Sequence, residues 1–259
     1  MDILSSISNG VLTLEFNRPE RKNAITSAMY QSMADALNAA EQDSAVRAIL
    51  ICGSAEIFTA GNDLEDFMKS ARPEDGGAIE ARPVYQFMMA LSGASKPVVA
   101  AVAGAAVGIG TTLLMHCDLV YAGDNAKFSM PFVQLGLCPE FASSLLLTQI
   151  AGYPRAAEKL MLGEAFLAQE ALEMGLVSKI LPAAGLRAFA EAQAAKLVAL
   201  PASSLRVTKQ LMKAARKGPV ADAIAAENVH FGAMLLAPEA KEAFMAFFQK
   251  RKPDFSQFS

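Results

Sequence analysis

One acidic residue is unusual because its neighbours along the chain are apolar. Glu140 lies in the stretch QLGLCPEFASSLLL, residues 134–147, directly after a proline and among leucines, a cysteine and a phenylalanine. A carboxylate in such surroundings either begins a helix, where its charge meets the helix dipole, or carries protons with a pKa that its surroundings have raised. The two roles shift the pKa in opposite directions, and the stretch alone does not distinguish them.

Two glycine-containing loops could bind a negatively charged oxygen. TAGNDL, residues 59–64, and AGAAVGIGTTLL, residues 103–114, each enter a helix through small residues that allow the backbone to approach a ligand. The first N–H groups of a helix have no partner within it, and two such loops that converge would form an oxyanion hole. Taken alone, the same glycines are also explained by tight turns.

Other kinds of site have little support in the sequence. His116 and His230 are the two histidines, and HxxxH, HExxH or clustered cysteines do not occur, so we expect no metal site. The GxSxG elbow of serine hydrolases is missing, and GAAVGIG has neither the GxGxxG order nor the Lys-Ser/Thr pair of nucleotide-binding loops. Cys52, Cys117 and Cys138 are expected to be reduced thiols that pack in the interior.

The composition indicates a folded protein without a surface for nucleic acid. The 259 residues are 53% hydrophobic and 19% charged, with a net charge of −3 and a pI near 5.5. The start, MDILSSISNGVLTLEF, lacks the features of a signal peptide, and the uncharged residues 97–115 are interrupted by three glycines and two threonines. We therefore expect a cytoplasmic protein that binds neither nucleic acid nor a membrane.

The hydrophobic pattern predicts strands and helices in alternation, joined by glycine-containing loops. Strands are predicted over residues 11–17, 46–52, 96–102 and 119–121. Thr26 is the predicted N-cap of a helix that carries Met29, Met33, Leu37 and Ala40 at helical spacing. This order is typical of an α/β fold in which sites form where loops meet helix starts.

The last third of the chain is predicted to be helical. It becomes alanine-rich from about Ala168, with one strand-like break at residues 177–181. Helices are predicted over residues 183–200, 203–216, 220–236 and 239–250, separated by LP, KGP and AP. We expect this tail to pack on the body of the protein or on another subunit. Earlier in the chain, residues 71–83 are a candidate lid or pocket rim, although a surface loop is the simpler interpretation.

Four longer stretches resemble the crotonase superfamily of enoyl-CoA hydratases and isomerases. FTAGNDL, KPVVAAVAGAAVGIG, CDLVYAGDNAKFSMPFVQLGLCPEFASS and AFFQKRKPDF resemble it in order and spacing, from the first strand to the last helix. The resemblance implies a spiral core of strand-strand-helix turns, residues 1–198, and a helical C-terminal region, residues 199–259, which forms a homotrimer or a dimer of trimers. It also implies an acyl-CoA thioester as the substrate, so that CoA enters with the substrate and no separate cofactor is needed.

The same resemblance assigns candidate site residues. The two backbone N–H groups that hold the thioester oxygen in the family correspond to those of Asn62 and Ile109, and a main-chain donor tolerates a changed side chain. Lys22 and Lys250 are explained equally well as solvated surface lysines. The positions that the resemblance assigns to the CoA moiety and its path are Lys22, Ala24, Ala60, Gly61, Asn62, Asp63, Leu64, Gly108, Phe247 and Lys250.

Two positions depart from the hydratases of this family. Their paired water-binding glutamates correspond to Thr112 and Phe132, neither of which takes up a proton near neutral pH. Glu140 corresponds instead to the single base of monofunctional Δ3,Δ2-enoyl-CoA isomerases of the peroxisomal type. Such a base removes a proton from C2 and returns one at C4 while the dienolate charge sits on the thioester oxygen. Its apolar neighbours are expected to exclude water and raise its pKa.

We therefore predict an isomerase that converts a 3-enoyl-CoA to a (2E)-enoyl-CoA in fatty acid β-oxidation. An enoyl-CoA hydratase, or another crotonase-type lyase or hydrolase that uses Glu140 differently, is the main alternative. A dehalogenase is less well supported, because the chain has no tryptophan. A non-catalytic relative that binds acyl-CoA or RNA is an alternative of another class, although the acidic pI and the lack of a lysine-rich helix disfavour RNA.

Overall fold

The computed structural model describes residues 1–70 and 79–258, so most of the candidate lid at residues 71–83 lies outside the described residues. The strands are β1 Ile3–Ser8, β2 Val11–Phe16, β3 Ala48–Cys52, β4 Ile57–Thr59, β5 Val98–Val102, β6 Ala105–Val107, β7 Leu119–Gly123, β8 Lys127–Ser129, β9 Phe166–Leu167 and β10 Lys179–Leu181. The helices are α1 Ser27–Gln42, α2 Leu64–Ser70, α3 Pro83–Gly93, α4 Ile109–Thr112, α5 Ser143–Ala151, α6 Tyr153–Leu162, α7 Ala168–Met174, α8 Ala183–Ala199, α9 Ala202–Leu235 and α10 Pro238–Phe248.

The strands form two sheets. The larger sheet has six strands in the order β1-β2-β3-β5-β7-β10, parallel except for the antiparallel pair β1 and β2. The smaller sheet has the order β4-β6-β8-β9, parallel except for the pair β8 and β9. Successive strands of the chain therefore alternate between sheets: β3, β5 and β7 join the larger sheet, and β4, β6 and β8 join the smaller one. This arrangement confirms the predicted α/β fold with spiral turns.

The central strands of the larger sheet are covered on both faces. Every residue of β3 and β5 is buried, as expected for parallel strands between two layers of helix. Ile49 and Ile51 face the main core, whereas Leu50 and Cys52 face a smaller cluster that includes Leu186 of α8. The continuous apolar runs that predicted these strands thus follow from burial on two sides.

The first helix agrees with its prediction in detail. The Thr26 side chain accepts a hydrogen bond from the Met29 N–H at 3.3 Å, which confirms the N-cap. Met33, Leu37 and Ala40 are buried with Met29 on one face of α1.

Five strands were not predicted: β1 at the edge, and β4, β6, β8 and β9, which make up the whole smaller sheet. The last four have two or three residues each, too few to show an alternating pattern, and they form because neighbouring turns of the spiral pair with one another.

The predicted break at residues 217–219 is wrong, because α9 continues through Pro219 for 34 residues. A proline inside a helix removes one backbone hydrogen bond and crowds the preceding turn. The helix is anchored on both sides of this point, by buried Lys209 before it and by buried Ile224 and Glu227 after it. Tertiary contacts therefore outweigh the local preference for a break.

The C-terminal helices share the main core of the protein. Ile224 of α9, with Ala240 and Phe244 of α10, belongs to the same cluster of buried residues as the sheet and α1. The boundary between residues 198 and 199 stays a prediction. Within the described parts of the chain, no single helix has the length and hydropathy of a membrane span, although α9 and α10 pass such a test when taken together as a pair bent by 68°.

Candidate active site

The two glycine-containing loops follow neighbouring strands of the smaller sheet. β4 and β6 are parallel and pair Ile57 with Ala105 and Thr59 with Ala106. The carboxyl ends of parallel strands lie at one edge of a sheet, which is where sites form in α/β proteins. Asn62 and Ile109, the two candidate oxyanion donors, therefore follow adjacent strands at the same edge.

Glycine allows the two loops to approach closely. Gly61 has a φ of +85°, and a Cβ atom there would lie 2.7 Å from the carbonyl oxygen of Val107. Gly110 is also closely packed, since a Cβ at its position would lie 2.5 Å from Cγ2 of Thr59. Both contacts join the first loop to the second, so the structure brings together the two loops that the sequence singled out.

The N–H groups of both candidate donors are not used by the neighbouring secondary structure: that of Asn62 points away from its bridge to Ile25, and that of Ile109 has no partner within α4. Ile25 and Asn62 form a parallel bridge through the hydrogen bonds Ile25 N–H to Gly61 O, at 2.8 Å, and Asp63 N–H to Ile25 O, at 2.9 Å. In such a bridge the N–H of Asn62 itself points to the opposite side. Ile109 is the first residue of α4, where an N–H has no partner within the helix.

Gly108 introduces the turn before α4. Its φ is +56°, a conformation that favours glycine, and its carbonyl accepts hydrogen bonds from the N–H groups of Thr111 and Thr112. A Cβ atom on Gly108 would lie 4.0 Å from the Phe132 ring. Phe132 therefore lies beside the second candidate donor, in the position where the family resemblance would place a hydratase glutamate.

Glu140 is turned into the protein rather than toward solvent. It is 4% exposed, and its Oε1 accepts a hydrogen bond from the Thr112 hydroxyl at 2.5 Å. Its other oxygen, Oε2, is buried and has no hydrogen-bond partner among the described residues. Thr112 lies on α4, which begins at Ile109, so one short helix connects the carboxylate with the second candidate donor.

Burial determines the acidity of Glu140. Loss of hydration, which has the largest effect, and the nearby charge of Glu227 raise its pKa, whereas the Thr112 hydrogen bond lowers it. The net result is a rise from 4.5 to about 8. Phe132, Leu137 and Phe141, all buried, belong to the surrounding core cluster. Of the two opposing effects that the sequence left open, the apolar surroundings prevail.

A second glutamate, Glu227 of α9, takes the helix-start role that Glu140 could have had. Its carboxylate accepts hydrogen bonds from the N–H groups of Ala142 and Ser144, at 2.6 and 3.0 Å, and from the Ser144 hydroxyl. These groups lie at the start of α5. The sequence reasoning missed Glu227, although an acidic residue three positions after buried Ile224 on the same helical face was a usable signal.

Tyr30 is another residue that the sequence reasoning missed. Its hydroxyl donates a hydrogen bond to Oδ1 of Asn62. Burial, followed by the charges of Glu140 and Asp66, raises the pKa of Tyr30 well above its usual value of 10. A tyrosine on the buried face of a predicted helix needs a partner for its hydroxyl, and this requirement could have drawn attention to it.

A pocket of about 100 Å³ opens beside Asn62. Asp66 at its edge accepts hydrogen bonds from the N–H and the hydroxyl of Ser27, both at 2.7 Å. Glu140 and Ile109 are not among the lining residues and lie deeper, in the buried interior. The described residues that line the pocket are Ile25, Ser27, Tyr30, Asn62, Asp66, Phe67, Arg82, Pro83, Val84 and Leu235.

The segment that contains Lys22 and Ala24 runs along the first loop. The Lys22 carbonyl accepts a hydrogen bond from the Ala60 N–H at 3.0 Å, and its side chain is exposed. The Ala24 carbonyl accepts one from Nη1 of Arg18 at 2.9 Å. The structure thus places residues 22–25 against residues 60–63, and their assignment to the CoA path stays a prediction.

The Asp63 carboxylate is already occupied by contacts within the protein. It forms an ion pair with Arg18 at 2.7 Å and accepts hydrogen bonds from the N–H groups of Glu65 and Asp66. These two residues follow Leu64 in the first turn of α2. Although partial burial raises the pKa of Asp63, these bonds lower it below its usual value overall.

Phe247 and Lys250 lie at the C-terminal end of α10 and just beyond it. Phe247 is 60% exposed, Lys250 is exposed, and neither lines the pocket. Phe244 of the same helix packs against Phe67, with ring centroids 6.3 Å apart, and Phe67 does line the pocket. The described residues include no group of three or more His, Cys, Asp or Glu side chains that could hold a metal ion.

Comparison with known proteins agrees with this architecture. The family model described as enoyl-CoA hydratase/isomerase matches residues 6–258. A 2,3-dehydroadipyl-CoA hydratase of Escherichia coli (strain K12) is 32% identical over 256 residues, which cover 98% of each chain. Enoyl-CoA delta isomerase 2 of Rattus norvegicus is 35% identical over 97% of this chain and 64% of its own length. Relatives of both kinds, hydratases and isomerases, are thus similar to this chain.

Solved structures show the same similarity. The crystal structure of an enoyl-CoA hydratase/isomerase from Pseudoalteromonas atlantica T6c superposes with a TM-score of 0.92 at 38% identity, covering 99% of this chain and 100% of the other. Since the sequence match extends over nearly all of the chain and the structural match includes both sheets and the C-terminal helices, the chain belongs to the enoyl-CoA hydratase/isomerase family of the crotonase superfamily.

Proposed function

We propose that this enzyme is a Δ3,Δ2-enoyl-CoA isomerase in which Glu140 is the single proton shuttle. The observation that carries the proposal is the state of this carboxyl group. It is buried, one oxygen is bound to Thr112, the other has no hydrogen-bond partner among the described residues, and burial raises its pKa to about 8. A carboxyl group whose pKa lies near the working pH can both remove and return a proton efficiently.

The reaction then needs two kinds of group. Oε2 of Glu140 removes a proton from C2 of the 3-enoyl thioester, and the electron pair delocalises onto the thioester oxygen as a dienolate. The N–H groups of Asn62 and Ile109 hold this oxygen, an interaction that typically contributes about 10²–10³ in rate for each donor. Protonated Glu140 returns its proton to C4, the double bond moves to C2–C3, and the carboxylate is regenerated.

Hydration would need a further group that handles water. Thr112 is occupied by its bond to Glu140, and Phe132 places an apolar ring beside Gly108. Neither side chain can act as an acid or base near neutral pH. These two positions support an isomerase over a hydratase.

Activity of the wild type and of Glu140→Gln on two substrates tests the proposal. With 3-hexenoyl-CoA, the wild type should form the conjugated 2-enoyl product, and Glu140→Gln should lose at least about 10²-fold in kcat, because the amide cannot take up the proton. With crotonyl-CoA, the wild type should show little hydration. Product formation can be followed by absorbance of the conjugated thioester and by chromatography.

A matched control removes an exposed carboxylate. Glu164→Gln changes the same functional group at an exposed position after α6 and should keep wild-type rates. Rapid hydration of crotonyl-CoA by the wild type, with no effect of Glu140→Gln on either reaction, would reject the isomerase assignment and favour the hydratase alternative.

A further inference from the structure

The backbone directly after Glu140 has an unusual conformation. Phe141 and Ala142 have φ values of +59° and +56°, so two successive residues with side chains lie in the left-handed region. This region is unfavourable for residues other than glycine, and a bulky phenylalanine is a rare occupant. Such a conformation persists only where surrounding contacts hold it, and it fixes the path of the chain directly after Glu140.

Glu227 supplies the main contacts that hold this segment from the C-terminal side. One of its oxygens accepts the Ala142 N–H at 2.6 Å, and the other accepts the Ser144 N–H at 3.0 Å together with the Ser144 hydroxyl. Glu227 is 7% exposed. Because both oxygens act only as acceptors here, the ionised form of the carboxyl group satisfies this arrangement best.

His116 holds the other side of the same segment. Its Nε2 donates a hydrogen bond to the Phe141 carbonyl at 2.8 Å, and its ring stacks on the Phe141 ring with centroids 3.8 Å apart. Complete burial lowers the pKa of His116 to about 3, so the ring is neutral at physiological pH. The backbone after Glu140 is thus clamped between a neutral imidazole and a carboxylate.

We propose that Glu227 is a positioning residue for Glu140. Glu227 orients Glu140 through the backbone of residues 141–144, and its negative charge acts directly on the Glu140 carboxyl group. Both oxygens of Glu227 are engaged by donors of residues 142–144, whereas Oε2 of Glu140 has no hydrogen-bond partner among the described residues, so we assign the proton transfer to Glu140 and a supporting role to Glu227. The inference rests on the proposed role of Glu140 as the proton shuttle. It assigns part of the catalytic geometry to α9, 87 residues further along the chain.

The charge of Glu227 gives this inference a measurable signature. After burial, which has the largest effect, the charge of Glu227 is the factor that raises the pKa of Glu140 further. Among the described residues, the other titratable groups that interact with Glu140 are Tyr30 from α1 and Cys138 from its own segment. Burial raises the pKa of each, which keeps both uncharged. Removal of the charge at Glu227 should therefore make Glu140 more acidic.

The test compares the pH dependence of wild type and Glu227→Gln with 3-hexenoyl-CoA as substrate. The base must be ionised, so kcat/KM of the wild type should rise with pH through the pKa of Glu140. In Glu227→Gln this rise should move to lower pH. The glutamine also presents an N–H₂ group to backbone N–H donors, which loosens the segment, and kcat at the high-pH plateau should fall roughly 10-fold with KM changed less than about threefold.

Two other variants complete the comparison. Asp222→Asn removes the same charge from an exposed position on the same helix and should leave both the pH profile and the plateau unchanged. Glu227→Asp keeps the charge but shortens the reach, so the rise should stay at the wild-type pH while the plateau falls. If the glutamine variant does not fold, as judged by circular dichroism, a wild-type plateau in Glu227→Asp overturns the inference.

The possible outcomes separate this inference from the proposed function. If the wild type isomerises its substrate in a Glu140-dependent way but Glu227→Gln keeps both pH profile and plateau, Glu227 has no positioning role and the isomerase proposal stands. If the wild type has no isomerase activity, the proposed function fails. In that case, ¹³C NMR titration of glutamate carboxyl carbons, with Glu140→Gln to assign the signal, still measures whether Glu227→Gln lowers the pKa of Glu140, and an unchanged midpoint overturns the inference.

Discussion

At the scale of single residues, the site contains two buried glutamates with opposite surroundings. Glu227 has hydrogen-bond donors on both oxygens, whereas Oε2 of Glu140 has none among the residues described. A buried, incompletely paired carboxylate is costly to the fold, and the raised pKa of Glu140 is the expression of that cost. The same property makes the group a suitable proton carrier, so stability and function oppose each other at this residue.

This opposition predicts that Glu140→Gln is more stable than the wild type at alkaline pH. The pKa of Glu140 is about 8 in the folded state and near 4.5 when unfolded, so between these values the folded state binds the extra proton. Wild-type stability should therefore fall, relative to the variant, as the pH rises through this window. We expect the difference in unfolding free energy to change by about 4 kcal/mol between pH 5 and pH 8.5.

Urea unfolding of both proteins at the two pH values measures this difference. The contributions of the other titrating groups to the pH dependence cancel, because both proteins contain these groups. A difference that stays constant with pH would show that Glu140 does not retain its proton in the folded protein.

At the scale of elements, two three-residue strands place the candidate oxyanion donors. β4 and β6 are individually too short to be stable, but their pairing brings Gly61 against the main chain of Val107. The donor N–H groups of Asn62 and Ile109 follow one and two residues after this contact. The spacing of the donors is therefore set by backbone packing rather than by the side chains of either residue.

This packing predicts that Gly61→Ala impairs catalysis without any loss of a functional side chain. The new Cβ would lie 2.7 Å from the Val107 carbonyl oxygen, at a residue with a φ of +85°, so the loops must move apart. Displacement of one donor should lower kcat/KM by about 10²–10³-fold. Steady-state kinetics with 3-hexenoyl-CoA, alongside circular dichroism to verify folding, measures the effect.

Gly93→Ala is the matched control, because among the described residues no heavy atom outside its own helix backbone and chain neighbours lies within 4 Å of a Cβ at that position. It should retain wild-type activity. A folded Gly61→Ala variant with activity within about threefold of wild type would contradict the role of this contact.

At the scale of the whole molecule, α9 connects regions that are far apart in the sequence. Its 34 residues span roughly 50 Å. Near its start, Nζ of Lys209 contacts Oδ2 of Asp118 at 2.6 Å and the Lys96 carbonyl at 2.7 Å, next to the larger sheet, whereas Glu227 lies beside Glu140. Exposed apolar side chains on the same helix, including Leu211 and Met212, are consistent with the predicted homotrimer or dimer of trimers, which stays a prediction.

The buried contact of Lys209 predicts a large effect on stability. Lys209→Met removes the closest cation from Asp118, which also accepts the Val98 N–H at 2.7 Å and has Lys213 at 4.0 Å. A buried charge that loses its partner typically costs about 3–5 kcal/mol, and Lys213 should reduce this cost, so we expect a loss of about 2–3 kcal/mol. Urea unfolding measures it.

Lys217→Met is the control, since the residue is exposed on the same helix and its replacement should change the unfolding free energy by less than about 0.5 kcal/mol. Equal effects of the two substitutions would show that the Lys209 contact does not stabilise the fold.

The sequence by itself determined the features that depend on neighbouring residues. Apolar runs predicted the buried strands β3 and β5, and the Thr26 cap with its helical spacing predicted α1, because periodicity and capping are local properties. The apolar surroundings of Glu140 were also visible, and the family resemblance gave the order of the motifs. Together these were sufficient for the fold class and for the two candidate loops.

Tertiary structure decided the features that depend on residues far apart in the chain. Three features arise from long-range contacts that no local pattern encodes. They are the pairing of β4 with β6, the continuation of α9 through Pro219, and the binding of the N–H groups at the start of α5 by Glu227 instead of Glu140. The pKa of Glu140 is the clearest case. Burial raises the pKa of Glu140 to about 8, and the charge of Glu227, which a helix far along the chain brings close, also acts to raise it. Burial raises the pKa of Glu227 as well, although its carboxylate accepts the helix-start N–H groups. The extent of burial, which only the tertiary structure fixes, therefore decides the direction of both shifts.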